Sequence, residues 1–100
     1  MGVKGKRIIV TGAAQGIGKA IAALLAEQGA SLLLCDVDLE KTEATAREIG
    51  AGGATCLACR ADVTKSADAE ALVQDAVGRL GAVDVLINNA GITRDNVLLR

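Results

Sequence analysis

Ile8-Ile9-Val10-Thr11-Gly12-Ala13-Ala14-Gln15-Gly16-Ile17-Gly18 decides the reading of this chain. An apolar run of strand length enters a turn punctuated by glycines, and an amphipathic stretch leaves it. Glycines let a backbone approach a ligand closely, and the helix that opens after the turn offers unpaired N–H groups and a positive dipole end. This is the build of a loop that cradles a dinucleotide pyrophosphate. A triphosphate-binding P-loop fails on register, because Ala13 and Ala20 stand where that motif needs a glycine and a hydroxyl.

Outward from this loop, short apolar runs alternate with longer helical patterns, the mark of successive βαβ units around a parallel sheet. Strands are predicted near 7–12, 31–36, 54–60 and 83–88. A helix near 16–28 carries Ile17, Ala20, Ile21, Leu24 and Leu25 on one face and stops at Gly29. A second, near 39–49, has a weaker face and ends at Gly50; a third, near 66–80, ends at Gly81. Ile92 to Arg100 look like the start of a further element.

One hundred residues, 51% of them hydrophobic and none aromatic, suit a single α/β domain spanning 1–100. A net charge of −1 gives no footprint for nucleic acid or an anionic membrane, and Lys4, Lys6 and Arg7 are expected to be a solvated edge. No apolar run has the length of a signal peptide or membrane span, so the expected location is the cytoplasm. Cys56 and Cys59 form a CxxC spacing, but no His and no second ligand pair accompany them. They and Cys35 are expected to be buried reduced thiols, and no metal site is assigned.

Three further features fit a dinucleotide. Asp36 closes the second strand, where its carboxylate can accept from ribose hydroxyls. Asp62-Val63 follows the third strand and can meet the adenine, although Asp62, Thr64 or Ser66 could equally cap the third helix. Asn88-Asn89-Ala90-Gly91 closes the fourth strand with amides and small residues.

Together these residues resemble the short-chain dehydrogenase/reductase family, whose glycine loop, acidic strand end, Asp-Val pair and Asn-Asn-Ala-Gly tetrad match Thr11 to Gly18, Asp36, Asp62-Val63 and Asn88 to Gly91. The continuation Gly91-Ile92-Thr93-Arg94-Asp95-Asn96 is most similar to bacterial 3-oxoacyl-[acyl-carrier-protein] reductases. The resemblance implies a Rossmann-like half fold, a four-stranded parallel sheet in order 3-2-1-4 with helices on both faces. It implies that Gly12, Gln15, Gly16, Ile17 and Gly18 surround the pyrophosphate, that Asp36 holds the adenosine ribose and that Asp62 and Val63 meet the adenine. Asn89, Ala90 and Gly91 would line the adjoining ribose, while Thr11 and Asn88 hold the first and fourth strands in register.

The family's catalytic Asn, Ser, Tyr and Lys would lie beyond residue 100, and this chain has neither Tyr nor His. No catalytic residue is therefore assigned. The leading expectation is a truncated reductase that binds NAD in preference to NADP, since Asp36 would repel a 2′-phosphate, and that turns nothing over alone. One alternative is an NAD(P)-dependent oxidoreductase acting on a 3-oxoacyl thioester in a longer or assembled form. Another is a self-associating fold fragment without ligand binding. A homodimer is expected through the fourth strand, read as an unpaired edge, or through a sheet face covered only by the third helix.

Overall fold

The computed structural model describes residues 2–89 and the strand backbone of 96–99. Its elements are β1 (Arg7–Thr11), α1 (Gly16–Glu27), β2 (Ser31–Asp36), α2 (Leu39–Gly50), β3 (Cys56–Arg60), α3 (Ser66–Leu80), β4 (Val85–Asn88) and β5 (Asn96–Leu99). They form one sheet in the order β3-β2-β1-β4-β5. The first four strands run parallel in the expected order 3-2-1-4.

Strand alternation divides the core into two layers. Ile8, Val10, Leu32, Leu34 and Ile87 point to one face, where they pack with Ala22 of α1 and Ala46 of α2. Ile9, Leu33 and Cys35 point to the other and meet Leu72 and Ala76 of α3. This is the distribution that right-handed crossovers impose. The apolar runs of β1 and β2 are continuous because both faces are covered, and Ile8 to Val10 and Leu32 to Leu34 are at most 1% exposed. Each such side chain contributes roughly 1.5–3 kcal/mol by leaving water. On the α3 side the cover thins toward β4, whose Leu86 is only partly buried.

Local chemistry sets the ends. α1 stops in a Schellman pattern: Gly29 N–H donates to Ala26 O at 3.0 Å and Ala30 N–H to Leu25 O at 3.1 Å. α2 runs one residue beyond its predicted limit, taking in Gly50 and ending at Ala51 in right-handed geometry. Arg7 is not a solvated edge. It begins β1, where its backbone exchanges 2.8 Å hydrogen bonds with Asp84 in both directions, and its Nε lies 3.7 Å from the Asp84 carboxylate.

The fourth strand is not an edge either. β5 returns antiparallel along it, from Asn88 opposite Asn96 to Val85 opposite Leu99. Backbone groups at a sheet margin gain by pairing with any strand that can reach them, and the short connection favours an antiparallel return. At the opposite margin, Arg79 of α3 reaches over β3 and donates from Nη1 to Ala58 O at 3.0 Å, steadied by Asp75 at 3.3 Å. That arginine occupies a carbonyl which would otherwise be open to an incoming strand.

Candidate functional site

The loop between β1 and α1 owes its shape to glycine. Gly12 and Gly16 sit at φ 62° and 64°, where a side chain would strain the backbone. Gly18 is required for a different reason: a Cβ there would overlap the Gly12 carbonyl oxygen and lie 2.9 Å from Asn89 Nδ2. The first turn of α1 is therefore pressed directly against the end of β1.

Neighbouring elements hold this loop from below. Ala13 N–H donates to Cys35 O at 3.3 Å, and the buried Thr45 hydroxyl of α2 donates to Ala14 O at 2.8 Å. Thr11 Oγ1 donates to Asn88 Oδ1 and accepts from Asn89 N–H, both at 2.9 Å. Asn89 Nδ2 donates to Gly12 O at 3.5 Å. Thr11 and Asn88 thus join the ends of β1 and β4 as anticipated, and Asn89 extends the brace to the glycine loop.

A cleft of 260 Å³ opens at the carboxyl ends of β1 to β3, lined by Gly12, Asp36, Val37, Asp62 and Val63 among others. In open parallel sheets ligands lie outside these strand ends, at the point where the strand order reverses, and here β1 separates β2 from β4. Asp36 caps the loop on this side, its Oδ2 accepting from Ala14 N–H at 3.4 Å and its Oδ1 from Asp38 N–H at 3.2 Å. Each oxygen keeps acceptor capacity for a further donor. A larger hollow of 310 Å³ between α1 and α2, beside the Lys19–Glu48 ion pair, gathers none of the predicted site residues.

Gln15, Gly16 and Ile17 lie exposed at the start of α1. Gln15 is the N-cap in extended conformation, with no capping hydrogen bond from its side chain and no acid in the first turn. Its Oε1 accepts from Lys41 Nζ at 3.3 Å. The dipole end and the exposed start of the helix at Gly16 and Ile17 thus suit an anion.

Asp62 is committed differently. Its Oδ1 accepts from both the amide and the hydroxyl of Thr64, which hold the carboxyl below its ordinary value of 3.8, and its amide donates to Asp68 Oδ2 at 2.8 Å. The carboxylate organises the turn before α3, while Val63 lines the cleft and packs against the α3-side core. The N-cap of α3 is Lys65, without a side-chain cap. Ala90 and Gly91 lie outside the described residues.

Sequence reasoning missed four contributors. Val37, 57% exposed, follows Asp36 and gives the cleft an apolar wall. Thr45 carries no motif, and only its inward position on α2 marks it. Lys41 reaches Gln15, and Arg60 is the register partner of Asp36 on β3, so two cations stand near the acidic strand end.

The donor set suits a nucleotide diphosphate joined to a ribose: close-packed glycines, a bare helix start, and a carboxylate at the neighbouring strand end with an apolar wall beside it. The sequence pattern described as short chain dehydrogenase matches residues 6–100. The chain belongs to the short chain dehydrogenase family. It is 48% identical over 87 residues to an uncharacterized oxidoreductase of Mycobacterium bovis, covering 87% of this chain and 35% of that protein. It is 44% identical over 96 residues to a 3-oxoacyl-[acyl-carrier-protein] reductase of Staphylococcus aureus, covering 95% of this chain and 39% of that one. A short chain dehydrogenase/reductase of Burkholderia phymatum in complex with NAD superposes with a TM-score of 0.82 at 35% identity, over 86% of this chain and 31% of that one. This short chain dehydrogenase sequence thus spans well under half the length of the relatives it matches. No helix among the described residues is long and apolar enough to cross a membrane.

Proposed function

We propose that this chain binds a nicotinamide dinucleotide by its adenosine diphosphate part, with NAD preferred over NADP. The observation that carries the reading is the cleft that Gly12 and Asp36 line together at the strand ends, with Gly18 of the α1 start packed against the Gly12 carbonyl. In this reading the amides of Gly16 and Ile17 meet the pyrophosphate, with Gly12, Gln15 and Gly18 completing the cradle. Asp36 accepts from the ribose hydroxyls, Val63 and the Asp62 backbone border the adenine, and Asn89, Ala90 and Gly91 adjoin the second ribose. A bound nicotinamide dinucleotide would supply a hydride to a carbonyl substrate or take one back.

Asp36 is the basis for preferring NAD, because a 2′-phosphate would meet a like charge at close range. Lys41 and Arg60 offset part of that repulsion, so the preference is expected to be moderate. In a longer or assembled form we assign reduction of a 3-oxoacyl thioester in fatty-acid synthesis, on the likeness to the Staphylococcus aureus reductase. We place that reaction in the cytoplasm, a reducing compartment that suits three free cysteines. Residues 1–100 on their own are read as performing no turnover, since hydride addition leaves an alkoxide and these residues include neither Tyr nor His to protonate it. Self-association into a dimer is assigned to the α3 side of the sheet, where Leu86 and Val83 are incompletely covered.

Calorimetric titration with NAD, NADP and ADP-ribose tests the binding. NAD and ADP-ribose should bind with similar affinity and NADP more weakly, and Asp36→Asn should narrow the difference. Tighter NADP binding by the unaltered chain contradicts the Asp36 role. A cooperatively folded chain without saturable binding of any of the three overturns the proposal and leaves the alternative of a self-associating fold fragment.

A further inference from the structure

The strand pair β2–β3 brings together two thiols that the CxxC spacing does not. Residues three apart in a strand face opposite ways, so Cys56 packs with the α1–α2 layer and Cys59 with the α3 layer. The neighbour of Cys59 is Cys35, its partner in the parallel register and a member of the same layer. Adjacent strands lie about 4.7–4.9 Å apart, within the separation of about 4.4–6.8 Å that disulfide-linked Cα atoms span.

The two thiols differ in access. Cys35 is fully enclosed, its Sγ facing Ala61 O at 4.0 Å. Cys59 is half-buried and opens on a hollow of 220 Å³ shared with Arg60, Asp68 and Asp75. The adjacent Cys35 thiol and the nearby Arg79 charge hold the Cys59 thiol below its ordinary value, while the adjacent Cys59 and burial push Cys35 up. Cys56, by contrast, is pushed up to about 11 by burial.

We propose that Cys59 and Cys35 form a redox dithiol site that takes a small-molecule disulfide as oxidant and closes to a cross-strand disulfide. The Cys59 thiolate attacks one sulfur of the oxidant, so a bond to Cys59 forms as the oxidant's S–S bond breaks. The first departing thiolate takes up the proton that Cys59 released. Cys35 then gives up its proton and attacks the Cys59 sulfur. The Cys35–Cys59 bond forms, and the second thiolate leaves with that proton. The chain loses two electrons and two protons, and the oxidant is reduced to two thiols. This site stands independently of the nucleotide reading.

The test treats folded Cys56→Ser chain with oxidised glutathione and follows it by mass spectrometry. The expected product has lost two hydrogens, carries no lasting adduct, retains no titratable thiol and yields tryptic peptides 20–41 and 48–60 joined by a disulfide. Adding Cys35→Ser should leave a glutathione adduct on Cys59 that lasts at least about tenfold longer, and adding Cys59→Ser should slow modification of Cys35 at least about tenfold. The unsubstituted chain should give peptides 20–41 and 48–60 linked through Cys59, with fragmentation leaving the thiol on Cys56, so the outcome does not depend on any variant folding. A persistent adduct on Cys59 with Cys35 present, undiminished reaction of Cys35 without Cys59, or absence of the linked peptides from oxidised parent chain would overturn the proposal.

Discussion

The three strand-to-helix junctions at the carboxyl edge of the sheet are finished differently. At the start of α2, Asp38 caps the helix by accepting from Lys41 N–H at 3.1 Å, and Glu40 adds a negative charge to the first turn. At α3, Asp68 occupies the first turn and takes the Asp62 amide, while Thr64 closes on the Asp62 carboxylate. Among the described helices, α1 alone combines an N-cap side chain that makes no capping hydrogen bond with a first turn free of acids. Two first turns carry an acid of the chain's own, and the third carries none, which in the proposed reading leaves that place to a ligand's charge. In the proposed reading the difference separates a structural helix start from a binding one, although all three lie along the same edge.

The largest expected effect comes from closing the contact that gives α1 its position. Gly18→Val would drive side-chain carbon into the Gly12 carbonyl and against Asn89, and neither backbone can yield without unseating the loop. A loss of about 3 kcal/mol in stability is expected, by analogy with overpacked cores. Chemical denaturation should show it, and ADP-ribose binding should fall below detection in the fraction that remains folded.

Giving α1 the acid that the other helices possess should break the comparison in a more telling way. Ile17 is 68% exposed, so Ile17→Glu perturbs little packing. The helix dipole should reward the new charge with about 0.3–1 kcal/mol of stability. The same charge should weaken ADP-ribose binding about fivefold, the consequence of roughly 1 kcal/mol of repulsion across water. A thermal melt and a titration on one preparation should therefore move in opposite directions.

The converse substitution belongs at α2. Asp38→Ala removes a cap and should cost about 1 kcal/mol. ADP-ribose affinity of the folded protein should stay within about twofold, a change worth less than 0.5 kcal/mol. A large affinity loss would mean that the α2 junction shares in binding.

The smallest effect is at α3. Thr64 holds the folded pKa of Asp62 below its unfolded value. The associated stability is fully present above the unfolded pKa and is lost as pH falls through the folded one. Thr64→Val should flatten that acid-side decline in urea midpoints measured below about pH 5, and leave the neutral-pH binding isotherm unchanged.

Much of this architecture was legible because it is local. The glycine spacing from Gly12 to Gly18 and the continuous apolar runs of β1 and β2 each declare their structural role within a few residues. What stayed hidden depends on partners distant in sequence. Thr45 supports Ala14 across 31 residues, and Arg79 reaches Ala58 across 21. Neither carries a local pattern that announces the contact. Cys35 and Cys59 meet only through strand register, which the CxxC spacing obscured by pointing to Cys56. The pairing of β5 with β4 also escaped, because a four-residue strand holds too little periodicity to identify. Asp62 was read as an adenine contact or a cap for the third helix; its carboxylate instead closes the preceding turn on Thr64, and the N-cap of α3 is Lys65 without a side-chain cap.

Amide chemical shifts test the central claim most directly, since the claim concerns which helix start receives the anion. In a two-dimensional nitrogen–proton spectrum of the labelled chain, saturating ADP-ribose should shift Gly16, Ile17 and Gly18 most, while adenosine without the pyrophosphate should leave those three nearly unmoved. The first-turn amides of α2 and α3, around Lys41 and Asp68, should change little in either titration. Shifts of equal size at all three junctions, or a response to ADP-ribose that spares Gly16 to Gly18, would contradict the assignment of α1 as the pyrophosphate-binding end.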